Sequence, residues 1–324
     1  MKHLLLGVMV AVGCGSSDDG AQLDAQSFDD AAAGDAGDLG DVDGAFLTCP
    51  AGTWCAETNP SGTAKLNGVF ALTTDDVFAV GDAGTILRRQ GGTWSAMTST
   101  TTKNLRAVWA AGATDAWAVG ASGTVLRWNG TAWAAAGPTT TTTLEAIWGS
   151  SATDVWAVGG TSAFRWNGTS WTLYGLSGSV MLDVHGTGPN DAWVASEGGY
   201  VKRWNGTSWS SVTSSGTGNF FAIRVLGTNN VWITTGVPGS RARSYNGSTW
   251  TNRDVSVVLH SLYSTGAELW GVTGPTSPGK IARWSGTAWT TETPSVVTQP
   301  LRAISGVGTS LWAVGDGGKI IHRE

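Results

Sequence analysis

Asp154-Val155-Trp156-Ala157-Val158-Gly159-Gly160-Thr161-Ser162-Ala163-Phe164-Arg165-Trp166-Asn167-Gly168-Thr169-Ser170-Trp171 sets the register of the whole chain. It contains two runs of alternating apolar residues, the period of half-buried β-strands. The Asn167-Gly168 pair that follows is a hairpin signal, because both residue types tolerate positive φ. Close copies precede and follow it. An Asp-x-Trp-like triplet puts an aromatic residue at Phe78, Trp117, Trp156, Trp193, Trp232, Trp270 and Trp312, in steps of 39, 39, 37, 39, 38 and 42 residues. A period near 40 built from strand signals alone predicts a β-propeller with four short strands per blade.

Each unit decomposes in the same way. Residues 105–109 or 144–148 read as a first strand, 115–120 as a second and 124–128 as a third; Asn129-Gly130 leads to a fourth strand from Thr131. The Asn-Gly pair recurs at Asn205-Gly206 and Asn246-Gly247, and relaxes to Ser285-Gly286 and Gly91-Gly92. The last unit stops at Glu324 without a fourth strand. At the front, Gly52-Thr53-Trp54 matches the fourth-strand start Gly168-Thr169-Ser170-Trp171 with one residue deleted. Seven fourth-strand tryptophans result: Trp54, Trp94, Trp133, Trp171, Trp209, Trp250 and Trp289. The expectation is an all-β, seven-bladed β-propeller, closed by an N-terminal strand that completes the last blade and leaves no open edge.

Composition agrees. Of 324 residues only 13% are charged, with 47 Gly, 19 Trp and four Met, and no helical periodicity of any length. Charge is unevenly placed. Nine of the 24 acids and one of the 19 bases (Lys2) precede Phe46, which leaves 15 acids against 18 bases in the body. Clustered Lys and Arg are missing, which argues against a nucleic-acid partner.

Met1-Lys2-His3 followed by the apolar run 4–12 is too short to span a bilayer and reads as a signal peptide, residues 1–13. The run ends Ala11-Val12-Gly13-Cys14, which resembles the lipobox of bacterial lipoproteins, although Leu is commoner than Ala at the first position. That resemblance implies lipidation of Cys14 and attachment to a membrane through acyl chains. Residues 14–45 are then a lipidated Cys and an Asp/Gly/Ala-rich linker whose apolar content cannot offset its chain entropy. Gly15 after the lipid Cys leans towards the outer membrane of a bacterial envelope. The folded body is expected over 46–324. An exported compartment permits a disulfide between Cys49 and Cys55 at the closing turn. A free pair is the alternative, and a metal site there lacks a nearby His.

The repeats resemble bacterial neuraminidase-repeat and YVTN-like propellers, and most of all the Trp-Asn-Gly-Thr-rich repeat lipoproteins of myxobacterial type, over residues 48–324. Trp166-Asn167-Gly168-Thr169-Ser170-Trp171 departs from an Asp-box, being one residue tighter and without its Asp. The Gly-His and Trp-Asp pairs of WD repeats are absent too. The resemblance implies a fold and leaves the activity open.

Repeated residues read as scaffold. The tryptophans of the second, third and fourth strands are expected between blades. The arginines at Arg88, Arg127, Arg165, Arg203 and Arg283 are expected to stack on neighbouring Trp rather than converge on a substrate carboxylate. Asp76, Asp115, Asp154 and Asp191, with Asn230 in their place once, are expected to bond backbone in the turn before the second strand. His185 reads as a core substitution in the slot of Trp109 and Trp148.

Function is sought where the repeat breaks. The second residue of each first strand, near the channel mouth, is Asn67, Arg106, Glu145, Leu182, Phe221, His260 or Arg302, a set with no common chemistry. The loops at 236–241 and 273–280 are longer than their counterparts. The expected binding rim is therefore Arg106, Glu145, Phe221, Arg241, His260, Lys280 and Arg302. It would recognise a protein or a surface polysaccharide without catalysis, as a monomer, with no cofactor and no metal. Two alternatives stand beside it. A sialidase-like glycoside hydrolase or lyase would need paired carboxylates or an Arg cluster in the mouth. An envelope-complex assembly factor would differ only in its partner.

Overall fold

The computed structural model describes residues 49–212, 218–239 and 241–324. The expected signal sequence, Cys14 and the acidic linker lie outside the described residues. Seven four-stranded antiparallel sheets follow one another along the chain. Blade 1 consists of Leu66–Ala71, Val77–Gly81, Ile86–Gln90 and Thr93–Met97. Blades 2 to 6 begin at Leu105, Ala146, Met181, Phe220 and Leu259. Blade 7 takes Leu301–Val307, Ser310–Gly315 and Ile320–Arg323 from the C-terminus and Cys55–Glu57 from the front. Cys55 pairs with His322, Ala56 with Ile321 and Glu57 with Ile320, so the front strand does complete the last blade.

That strand also binds the blades on either side. Trp54 Nε1 donates to Glu292 of blade 6 at 2.8 Å. Glu57 accepts from Arg89 Nε of blade 1 at 3.2 Å and from the Trp94 indole, and lies 3.4 Å from His322 Nδ1 of blade 7. Cys49 and Cys55 are joined by a disulfide, with Cα atoms 5.8 Å apart.

Blades pack through aromatic rings, as expected. Trp117 of blade 2 meets Trp166 and Trp171 of blade 3, each with centroids at 5.4 Å. Trp156 repeats the contact with Trp204 and Trp209 of blade 4, and Trp232 with Trp284 and Trp289 of blade 6. The arginines stack over these rings: Arg127 lies 4.8 Å above Trp117, and Arg165 5.2 Å above Trp156.

The aspartates differ from expectation. Asp76, Asp115, Asp154 and Asp191 bond the guanidinium opposite, on Arg88, Arg127, Arg165 and Arg203, at 2.6–2.8 Å. A charged fork on a neighbouring strand outcompetes a neutral turn amide for a carboxylate. The Asn-Gly hairpins differ as well. Trp128 pairs with Trp133 across a four-residue loop, in which only Gly130 has positive φ, at 95°. The Asn129 side chain accepts the amides of Thr131 and Ala132 at 2.9 Å and so closes the loop itself. The two-residue turn with both residues at positive φ occurs at Gly91-Gly92 instead.

Candidate functional site: the central channel

The first strands of all seven blades border one central channel of about 460 Å³. In six blades the register slips across the second residue, as between Leu105 and Ala107 or between Leu301 and Ala303. Such a bulge re-aims a side chain. All seven second-position residues border the channel.

Five of the seven predicted rim residues therefore converge: Arg106, Glu145, Phe221, His260 and Arg302. Arg302 grips Asp316 through Nε and Nη2, both at 2.8 Å, which holds the guanidinium pKa up and the carboxyl down. Arg106 Nε lies 3.7 Å from Glu145. Asn67 donates to Asp82, which also pairs with Lys65 at 3.3 Å. Phe221 and His260 stack with centroids 4.3 Å apart. His260 Nδ1 accepts the Gly274 amide at 3.1 Å, so the long 273–280 loop is seated on the rim. Burial, then the Arg302 charge, keep His260 below the ordinary imidazole range.

Arg241 and Lys280 do not border the channel. The Arg241 amide is held by Asp254 at 2.7 Å and its Nη1 lies 3.4 Å from the Val255 carbonyl. Lys280 is exposed, its amide on Thr273 Oγ1 at 2.8 Å. No group of three or more His, Cys, Asp or Glu side chains fit to hold a metal occurs among the described residues.

Below the mouth the wall is layered by position in the first strand. The third residue is Gly, Ala or Ser in every blade except blade 4, where it is Asp183. The fourth is always aliphatic, from Val69 to Ile304. The fifth is aromatic at Phe70, Trp109, Trp148 and Tyr263, but His185, Arg224 and Ser305 in the other three. His185 takes the slot of Trp109 and Trp148 and, like them, borders the channel; its ring meets Trp148 at 5.6 Å and its Nδ1 accepts the Val225 amide at 3.2 Å. Sequence reasoning passed over Asp183 and Arg224, although both stand out once the first strands are aligned by column.

Asp183 keeps a narrow opening onto the channel while protein packs round it. Burial raises its pKa to about 7, against the amides of Ile223 and Val184, each 2.8 Å from a carboxylate oxygen, and the Arg224 charge. Burial holds the His185 imidazole well below its usual range, and Arg224 adds to the effect. A carboxyl whose folded pKa exceeds its unfolded value, about 4, leaves the folded chain binding the extra proton between those values. It therefore opposes folding increasingly as pH rises from about 4 to 7, and fully above that. His185 acts in the other sense, losing stability as pH falls below its unfolded pKa. Asp183→Asn isolates the carboxyl: its stability relative to the parent should climb from about pH 4 to pH 7 and then level off. Denaturant titrations across that range test this, and a gap constant with pH would refute it.

No known family's sequence model matches this chain, and no curated protein matches it. Solved structures do resemble it. YCF48 bound to D1 peptide is 16% identical, with a TM-score of 0.67 over 83% of this chain and 96% of that one. Virginiamycin B lyase from Staphylococcus aureus is 14% identical, with a TM-score of 0.72 over 83% and 97%. The WD40 β-propeller domain of Doa1 is 10% identical, with a TM-score of 0.69 over 83% and 94%. At these identities the likeness establishes the propeller fold.

Proposed function

We propose that this protein is a binding propeller of the bacterial envelope, tethered by a lipid on Cys14, whose channel mouth holds a protein partner without chemistry. One observation carries the reading. Five side chains of four kinds, from five blades, meet at one mouth on a rigid closed scaffold. A repeat that serves only as scaffold has no reason to vary this slot while keeping Trp117, Trp156 and Trp193 on its second strands. A mouth with charges of both signs beside a stacked Phe221–His260 pair suits a polar peptide surface with an aromatic anchor. The propeller bound to D1 peptide is a precedent for peptide recognition on this fold. The hydrolase alternative gains little, because Glu145 is engaged by Arg106 and Asp183 by two amides.

Cross-linked capture from envelope extracts, run beside a glycan array, tests the partner class. Phe221→Ala with His260→Ala should weaken capture by at least about tenfold, a typical result at a central anchor. Unchanged capture, or saturable glycan binding alone, would overturn the reading. Cys14→Ser should release the protein from the membrane fraction; persistence there would refute the tether.

A further inference from the structure

We propose that the depth of the channel is a binding site for a small apolar monocarboxylate, seated on Arg224. Arg224 is the fifth residue of its strand, three residues below the mouth, or roughly 10 Å at strand rise. It occupies a ring position that is aromatic in four other blades. Protein surrounds its guanidinium, yet Nε has no hydrogen-bond partner and no carboxylate lies within ion-pairing distance among the described residues. The Tyr263 ring centroid lies 5.1 Å from its Cζ. Asp183 is the acid that acts on it, but both Asp183 oxygens already accept amides.

The mouth arginines are different. Arg302 is bonded by Asp316, and Arg106, whose Nε likewise makes no hydrogen bond, still has the Glu145 carboxylate 3.7 Å away, so each of those charges has an acid beside it. A buried cation left without a partner is costly, and its planar fork is preorganised for a carboxylate. His185 adds a donor: with Nδ1 accepting the Val225 amide, the neutral ring carries its proton on Nε2. In the same layer Phe70 and Trp148 border the channel and are only partly buried, an apolar surface for a hydrocarbon body. Asp183 disfavours a dianion such as phosphate. A volume of about 460 Å³ lies in the lower part of the range of small-molecule sites. The site is independent of the rim, so loss of a partner at the mouth would leave it standing.

The experiment uses the intact protein and two pairs of probes: hexanoate with hexanamide, and benzoate with benzamide. Calorimetry and saturation-transfer NMR should show single-site binding of the acids, with the neutral amides at least about tenfold weaker, the worth of a charged hydrogen bond. Arg224→Gln should erase that preference, and Lys103→Gln, which removes an exposed cation, should preserve it. Acid and amide binding alike, or no saturable binding of either acid at millimolar concentration, would overturn the proposal. So would binding that survives Arg224→Gln and vanishes with Arg302→Gln, since the ligand would then sit at the mouth. Circular dichroism reports whether Arg224→Gln folds; if it does not, the acid-against-amide comparison on the unaltered protein decides.

Discussion

Trp54→Ala should lower the free energy of unfolding by about 3–5 kcal/mol, the range for truncating a buried Trp. Trp54 precedes a strand of only three residues, Cys55–Glu57, yet that strand closes the ring. Its indole is 8% exposed and packs edge-on against Trp270 of blade 6 at 6.2 Å, within a cluster that includes Ile281, Leu301 and Ile321. Truncation leaves a cavity where blades 6 and 7 meet and removes the indole donor to Glu292, a half-exposed carboxylate that keeps Arg323 and solvent, so the cavity is the main cost. Three backbone pairs with Ile320, Ile321 and His322 and the polar contacts of Glu57 are then left to hold the strand. The denaturant midpoint should fall, and the transition should broaden if the seam opens before the rest unfolds. A loss below about 1 kcal/mol, the level of an ordinary substitution, would mean that other contacts close the ring.

The closure was legible because it is a matter of counting. A period near 40 is a covalent property of the chain, and an unmatched strand start at Trp54 has one place to go when the last unit lacks its fourth strand. The Arg stacking was legible for the same reason, since residue type and strand position repeat together. What pairs across strands was less so. Asp115 and Arg127 are 12 residues apart, and only the register that sets Trp117 opposite Arg127 brings the carboxylate to the guanidinium. Read residue by residue, an Asp before a strand resembles any turn aspartate. The mouth residues were found by reading the second column of the first strands. Asp183 and Arg224 sit in the third and fifth columns of adjacent blades, and that each feels the other's charge depends on how the strands converge round an axis. Arg241 and Lys280 were chosen for loop length alone, which carries no direction towards the channel.

The Asp–Arg pairs predict the other large effect, and the protein supplies its own control. Asp76 and Arg88 are each 8% exposed and joined by two hydrogen bonds at 2.8 and 2.7 Å. Arg88 also reaches the Ala113 carbonyl of blade 2 at 2.9 Å and lies 4.7 Å from the Phe78 centroid. Asp76→Ala leaves that guanidinium buried against one carbonyl and an aromatic face, and should cost about 3–5 kcal/mol, as breaking buried pairs does. Blade 5 shows how the fold manages without the pair. There Asn230 stands for the aspartate and Ser244 for the arginine, both neutral, and Asn230 Oδ1 accepts the Trp232 indole at 3.0 Å. The guanidinium that remains there, Arg253, is solvent-exposed; it donates to Ser244 Oγ at 3.2 Å and lies 5.7 Å from the Trp284 centroid, so no charge is buried in that place without its partner. Asp76→Asn combined with Arg88→Ser should therefore cost about 1–3 kcal/mol less than the sum of its single substitutions, the scale of coupling between contacting residues. Urea unfolding of the four proteins completes the cycle. Additive costs would show that the pair's charges do not depend on each other.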